Sequence, residues 1–283
     1  MTRSLVTGAK YALKEKIEDI SYWWRRRRHV PSRGAPEGSD RAVVEALWRS
    51  GGFVTSLDAL GIPGTAEMVT KADEIFRAIA DRAAGKGGFI ASAPQGEIDR
   101  HPALIRWGLD ERLLDIVESY IAMPVDYRGL TARRDVKGGE QLETRLWHRD
   151  YEDWKIVKII VYLNDVDRGG GAYEFIPCTD LPIWRVGPLA GSDGRIGETA
   201  MREVVPESSW HACSGPRGTV VFSDTCSVYH RGTIAHSEDR HALFFCYNSR
   251  SPRSPGDCQP LFDRARFAAA CDLSVRQRAA IGL

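Results

Sequence analysis

The 283-residue chain lacks several features that would assign it to a special class of protein. No apolar run approaches the length of about 18 residues typical of a membrane-spanning helix. The first twenty residues also lack the continuous apolar core of a secretory signal peptide. Lys and Arg total 39 and Asp and Glu total 38, so the strong basic excess of a nucleic-acid-binding protein is missing. We therefore expect a globular, cytoplasmic protein without a nucleic-acid partner.

The six cysteines are scattered and form no CxxC pair. This spacing excludes a zinc ribbon or zinc finger. Several of them lie in apolar runs, such as Cys246 after Leu243-Phe244-Phe245. Buried, unpaired thiols are typical of proteins in a reducing cytosol, where disulfides are rare.

The N-terminal part, residues 1–33, reads as a basic amphipathic helix over 9–28 followed by a linker. Ile17, Ile20 and Trp24 recur at helical spacing, and the helix ends in Trp23-Trp24 and four consecutive arginines. A segment rich in Pro, Gly and Ser follows. One interpretation is a peripheral helix with a solvated Arg cluster. The other is contact between residues 9–28 and an anionic membrane surface or an acidic partner.

The remainder, residues 34–283, is predicted to be a single domain whose character changes near residue 125. Residues 40–122 carry mainly helical patterns, and a last helix is expected over 263–280. Between about 125 and 250, short runs of β-branched and aromatic residues alternate with turn signals, and one of these runs is 142–149. This pattern predicts a mainly β fold with flanking helices (α+β), built as a sandwich or jelly-roll barrel.

Three residues within the strand-rich part have the spacing of a metal site. His148 and Asp150 are two positions apart in ETRLWHRD, so a strand would direct both side chains to one face. His230 follows about 80 residues later, at the end of another predicted strand. Two His and one carboxylate form the facial triad of mononuclear non-haem iron(II) enzymes. A 2-oxo acid can occupy two of the three remaining metal positions, and O2 the third.

A carboxylate anchor for such a co-substrate is expected on the next strand. Arg240 lies ten residues after His230, and the forked guanidinium suits a buried carboxylate. Arg231 is the rival anchor, and an ion pair at a sheet edge is the purely structural alternative for Arg240.

Two further residues are candidates for holding the co-substrate. Lys158 stands within an apolar run over 156–161, where it either faces solvent or points into the barrel. Thr144 precedes His148 by four residues, which places it on the same face of the predicted strand. A hydrogen bond to the co-substrate and simple packing are equally good interpretations of Thr144.

The segments around these residues resemble the phytanoyl-CoA dioxygenase-like family of Fe(II)/2-oxoglutarate-dependent oxygenases. The likeness covers roughly residues 125–250. It is carried by the HxD motif, Leu163-Asn164-Asp165-Val166, Gly169-Gly170-Gly171, Phe175-Ile176-Pro177, and His230 with Gly232. The family's usual P-G-S-H reads Pro177-Cys178-Thr179-Asp180 here, which departs from the pattern.

The resemblance implies a double-stranded β-helix (cupin-like) catalytic domain that holds Fe(II) at His148, Asp150 and His230. It also implies that 2-oxoglutarate binds Arg240 and is converted with O2 to succinate and CO2, while an unactivated C–H bond is hydroxylated. The expected substrate is a small molecule or an acyl or lipid-type group. Two alternatives stay open: a cupin-like metal enzyme that does not use 2-oxoglutarate, and a non-catalytic binding module of the same fold.

Overall fold

The computed structural model describes residues 17–82 and 88–283. The predicted N-terminal helix is present over 17–28 (α1), and residues 9–16 of that prediction lie outside the described residues. The other described α-helices, α2 to α11 in chain order, are Gly38–Ser50, Leu57–Leu60, Thr65–Ala78, Gln95–Ile98, Pro102–Gly108, Glu111–Ile121, Ile183–Val186, Glu198–Arg202, Arg264–Ala270 and Val275–Ala280. None of the described helices is long and apolar enough to cross a membrane.

The strands form two antiparallel sheets. In chain order, the strands β1 to β9 of the described residues are Gly52–Ser56, Ile90–Ser92, Val125–Asp135, Val157–Tyr162, Tyr173–Ile176, His211–Cys213, Thr219–Asp224, Tyr229–Gly232 and Arg240–Ser249. The larger sheet has the order β1-β7-β4-β9-β3-β2, and the smaller has the order β6-β5-β8. The neighbouring strands are far apart in sequence, as in a jelly-roll, and the predicted fold class is confirmed.

The larger sheet has a different partner on each face. In β4, Val157, Ile159 and Val161 join the apolar core shared with the helices. The alternate residues Ile160 and Tyr162 join a second core, which includes side chains of the smaller sheet. Because side chains alternate along a strand, the even-numbered positions of β4 face the space between the two sheets. The candidate site opens from this space.

Two strands interrupt the region predicted to be helical, residues 40–122. β1 pairs with β7, and β2 pairs with β3, so the two strands form the outer edges of the larger sheet. Each strand is short, and its partner lies far along the chain. The pairing therefore has no local sequence signal, whereas the helices on either side are amphipathic and were predicted.

The predicted C-terminal helix over 263–280 is two helices, α10 and α11. Asp263 caps α10 through a hydrogen bond from the backbone N–H of Arg266. Ser274 then begins α11 with a capping box, in which Gln277 bonds back to the Ser274 backbone. A cap of this kind fixes a new helix start. The chain is extended at Cys271, so the two helices do not merge.

Candidate metal centre

The three predicted metal ligands lie together, but His148 does not stand on a regular strand. The predicted strand over 142–149 is instead a 3-10 turn at Glu143–Arg145 followed by extended chain. His148 forms an isolated antiparallel bridge with His230, through N–H to carbonyl bonds of 3.1 and 2.9 Å. Asp150 donates its backbone N–H to the carbonyl of Thr225 at 2.9 Å. These bonds fix His148 against the start of β8 and Asp150 against the residue that follows β7.

The ligand atoms of His148, Asp150 and His230 all lie within 4.8 Å of one another. Among the residues that the structure describes, no other group of three His, Cys, Asp or Glu side chains has the spacing of a metal site. The two imidazole rings have their centroids 4.2 Å apart. Two nitrogen ligands and one carboxylate are the donor set that non-haem Fe(II) takes in facial-triad enzymes. The residues therefore fit such an ion.

Both histidines are held in the form that a metal requires. The Nδ1 atom of His148 lies 2.9 Å from the carbonyl of Leu146, and Nδ1 of His230 lies 3.4 Å from the carbonyl of Val228. A proton on Nδ1 leaves Nε2 as the free donor atom, as backbone carbonyls commonly arrange for metal-binding histidines. Burial lowers the pKa of His148 and lowers that of His230 further. Both imidazoles are therefore neutral at pH 7.

Asp150 carries a full negative charge and is paired with Lys158. The Nζ atom of Lys158 lies 2.6 Å from Oδ2 of Asp150. Burial alone would raise the pKa of Asp150, but the Lys158 ammonium more than compensates and holds this pKa below its usual range. Burial would likewise lower the pKa of Lys158, and Asp150 raises it overall. The sequence allowed Lys158 to face solvent or to point into the barrel, and in the structure its side chain points into the barrel.

A cavity of about 140 Å³ adjoins these side chains. Its lining brings together the remaining predicted site residues Thr144, Lys158 and Arg240 with both histidines. Thr144 reaches the cavity from the 3-10 turn, so the predicted strand at this position is wrong although the side chain lines the cavity. The cavity is also lined by Thr131, Arg133, Tyr173, Arg231, Gly232 and Phe244. All six predicted site residues thus converge, and their chemical roles stay predictions.

Arg240 is buried and already has a carboxylate partner inside the protein. Its Nη2 and Nε atoms donate to Oδ2 of Asp135 at 2.8 and 3.3 Å, and Nη1 donates to the carbonyl of Gly171. Arg133 binds the other oxygen of Asp135 through Nε at 2.9 Å and through Nη2. Burial would raise the pKa of Asp135, but these two guanidinium groups lower it. Asp135 therefore fixes both arginines beside the cavity.

Arg231, the rival anchor, is occupied elsewhere. It donates to Glu174 at 2.8 Å and to Glu198 at 2.7 Å, and its guanidinium lies over the rings of Trp147 and Trp210. A cation held by two carboxylates and two aromatic rings has little capacity left for a further anion. Arg240 is the better candidate of the two.

Sequence reasoning missed Arg133, Asp135 and Tyr173. The register of β3 against β9 places Asp135 opposite Arg240, although the two are 105 residues apart in sequence. Nothing local in the sequence indicates that register. The signal available was the alternation along β3, which puts Arg133 and Asp135 on one face of that strand.

No model of a known protein family matches this chain, and no curated protein matches it in sequence. Solved structures do resemble it in three dimensions. One is the epimerase SnoN in complex with Fe3+, alpha ketoglutarate and nogalamycin RO, with a TM-score of 0.53 and 16% identity over 84% of this chain and 91% of SnoN. Another is HygX from Streptomyces hygroscopicus with nickel and 2-oxoglutarate bound, with a TM-score of 0.53 and 16% identity over 76% of this chain and 88% of HygX.

A third similar structure is EctD from S. alaskensis with 2-oxoglutarate and 5-hydroxyectoine. Its TM-score is 0.52, with 20% identity over 78% of this chain and 79% of EctD. Likeness at these identities is a statement about architecture, since one fold hosts many activities. The chain shares the fold of these three proteins.

Proposed function

We propose that this protein is an Fe(II)- and 2-oxoglutarate-dependent oxygenase of the phytanoyl-CoA dioxygenase-like type. The observation that carries the proposal is the cluster of His148, Asp150 and His230, with ligand atoms within 4.8 Å of one another. Its two imidazoles are neutral and oriented by backbone carbonyls. The site needs no rearrangement of protonation before a divalent ion binds.

The charge of the cavity supports 2-oxoglutarate as the co-substrate. Four cationic side chains line it, and one of them, Arg231, is neutralised by Glu174 and Glu198. The other three, Arg133, Lys158 and Arg240, stand against the carboxylates of Asp135 and Asp150. A divalent metal adds two further positive charges. A dianion with a carboxylate at each end neutralises most of this excess, which a neutral ligand would not. SnoN, HygX and EctD, which share the fold, contain this 2-oxo acid in their solved structures.

Each residue has a defined task in this proposal. His148, Asp150 and His230 hold the metal, and Arg240, oriented by Asp135, pairs with the distal carboxylate of 2-oxoglutarate. Lys158 pairs with Asp150 in the metal-free protein, and Thr144 offers a hydroxyl to the co-substrate. Bound Fe(II), with 2-oxoglutarate and O2, supplies an oxidant while the oxo acid becomes succinate and CO2.

A place for the prime substrate is available next to the metal cavity. A second cavity, of about 250 Å³, shares the Arg231 side chain with the metal cavity. Glu174, Trp210 and Thr233 line it, so it offers both polar and aromatic contacts. We assign the prime substrate, a small molecule or an acyl group, to this cavity, with hydroxylation of a C–H bond as the reaction. SnoN and EctD have nogalamycin RO and 5-hydroxyectoine bound, respectively.

One observation favours a second candidate, a metal enzyme that does not use 2-oxoglutarate. The donors of Arg240 are committed to Asp135 and to the Gly171 carbonyl. This second candidate requires that these donors are not shared with a ligand.

Calorimetric titration of the Mn(II)-loaded protein with 2-oxoglutarate separates the two functions. Mn(II) takes similar oxygen and nitrogen ligands without the O2 chemistry of iron. The proposal predicts that 2-oxoglutarate binds the metal-loaded protein and binds the metal-free protein far more weakly. Tight Mn(II) binding without any 2-oxoglutarate binding would favour the second candidate.

A further inference from the structure

Helix α1 is attached to the domain through one side only. The ring of Tyr22 is buried and stacks on Trp154, with centroids 4.5 Å apart. Arg26 donates to the carbonyl of Ile121 at 3.1 Å, and Trp154 donates to Asp19 at 2.7 Å. Asp19, Tyr22 and Arg26 follow helical spacing, so they define the side of α1 that faces the protein.

The opposite side is apolar, aromatic and basic, and it faces solvent. Ile17 and Ile20 are each 58% exposed, and Trp23 and Trp24 are 48% and 51% exposed. The Arg27 and Arg28 guanidinium groups lie over the rings of Trp23 and Trp24. We name this surface the outer face of α1 and define it by Ile17, Ile20, Trp23, Trp24, Arg27 and Arg28. Four large apolar side chains so close together are unusual on a protein surface and mark an interaction site.

The charge of the chain is divided unevenly, and the division indicates the partner. Residues 1–33 contain nine Lys and Arg against three Asp and Glu, while residues 34–283 contain thirty against thirty-five. The outer face therefore belongs to a segment with a net charge of about +6 on a protein with +1 overall. Two copies of such a face would repel each other, so self-association through it is disfavoured.

We propose that the outer face of α1 binds an anionic membrane surface, with the helix lying in the plane of the interface. Helices that do this combine an apolar side carrying Trp with a rim of Lys or Arg, and they insert only as far as the headgroup region. The guanidinium groups of Arg27 and Arg28 are placed to pair with lipid phosphates. The neighbouring indoles of Trp23 and Trp24 enter the headgroup region. An acidic protein would use the arginines but would not require the indoles.

The proposal also locates the membrane relative to the candidate metal centre. Trp154, on which Tyr22 stacks, follows Asp150 by four residues in the chain. The helix is thus attached to the segment that leads directly away from the metal ligands. The outer face would bind lipid whatever the metal centre does, so membrane binding is independent of the oxygenase activity.

Co-sedimentation of the 283-residue protein with vesicles tests the proposal. The vesicles are phosphatidylcholine alone, or phosphatidylcholine with about a third phosphatidylserine. We expect at least tenfold stronger binding to the anionic vesicles. Replacing Arg25, Arg27 and Arg28 with Gln should lower that binding about a hundredfold, because one basic residue near such a surface contributes about a factor of five. The same three positions changed to Lys should retain most of the binding.

Matched variants separate a specific surface from general charge. Arg250, Arg266 and Arg278 are exposed elsewhere, and changing them to Gln alters the net charge equally. We expect these changes to leave vesicle binding unchanged. Trp23→Ala with Trp24→Ala should weaken binding at least tenfold, whereas Trp184→Ala, which removes an indole that is 79% exposed, should not. Thermal unfolding of each variant checks that the fold persists.

Three outcomes would overturn the proposal. The first is equal sedimentation of the wild-type protein with both kinds of vesicle, or with neither. The second is a loss in the Arg250, Arg266 and Arg278 variant as large as the loss in the α1 variant. The third is binding to a polyglutamate resin that depends on the α1 arginines, with vesicle binding indifferent to Trp23 and Trp24. That result would assign the outer face to an acidic protein instead.

Discussion

Replacing Lys158 with Met should destabilise the metal-free protein and strengthen its binding of a divalent metal. The ammonium of Lys158 lies 2.6 Å from Asp150, and the two side chains are 26% and 12% exposed. Breaking a fully buried pair costs about 3–5 kcal/mol, and the partial exposure here reduces this to about 2–3 kcal/mol. Met keeps the length and volume of the side chain, so the change acts mainly through charge.

The magnitude translates into two measurable shifts. For a chain of this size, 1 kcal/mol corresponds to about 2 °C in Tm, so the metal-free variant should melt about 5 °C lower. Mn(II) and Lys158 draw on the same carboxylate and repel each other. Removing the ammonium should therefore tighten Mn(II) binding. We expect a change of about tenfold and no more, because Lys158 pairs with only one oxygen of Asp150 in the wild type. Scanning calorimetry and Mn(II) titration give the two values.

Lys155→Met is the matched control for this prediction. Lys155 pairs with the buried Asp224 at 3.1 Å, outside the group of metal ligands. Its replacement should lower Tm by a comparable amount and leave Mn(II) affinity unchanged. An unchanged Tm in Lys158→Met, or weaker Mn(II) binding than in the wild type, would refute the role assigned to Lys158.

Three other changes test separate parts of the site. His230→Ala should abolish the rise in Tm that Mn(II) produces in the wild type, because a ligand that binds only the folded state stabilises it; an undiminished rise would exclude His230 as a ligand. Arg240→Met should weaken 2-oxoglutarate binding to the Mn(II)-loaded protein at least a hundredfold, because truncating one partner of a desolvated pair costs about 3–5 kcal/mol. The affinity for Mn(II) should not change. If calorimetry shows that the variant and the wild type bind 2-oxoglutarate equally well, Arg240 is not the anchor. Burial raises the pKa of Asp153 to about 6, so the contribution of Asp153 to stability is greatest below pH 4 and is lost as the pH rises through 6. The Tm of Asp153→Asn, measured relative to that of the wild type, should therefore increase between pH 5 and pH 7.5. A difference in Tm that stays constant over this range would contradict the assignment.

The sequence predicted the parts of the site that depend on local periodicity. Lys158 and Arg240 both fall in predicted strands, so each side chain must lie on one of the two faces of a sheet. For Lys158 the sequence left both faces open, because the residues on either side of it are apolar. His148 and Asp150 are two residues apart, and extended chain suffices to bring them together even though 142–149 is not a strand. His230 joins His148 and Asp150 because the segments that carry them meet at the same end of the barrel.

Other features depend on contacts between distant segments, and local patterns could not reveal them. The register of β3 against β9 brings Asp135 to Arg240 and so gives the predicted anchor an internal partner. The edge strands β1 and β2 are short and acquire their structure only by pairing with β7 and β3. The division of the last predicted helix depended on the cap at Ser274, a pattern that a search for apolar periodicity overlooks.

An anaerobic titration of the metal-free protein, first with Fe(II) and then with 2-oxoglutarate, tests the oxygenase proposal most directly. Chelation of the metal by the oxo acid produces a weak visible charge-transfer band, and the measurement requires no knowledge of the prime substrate. The proposal predicts that the band appears in the wild type and is lost in His148→Ala and in Arg240→Met. Fe(II) binding without the band would contradict the use of 2-oxoglutarate, and a failure to bind Fe(II) would contradict the metal centre itself.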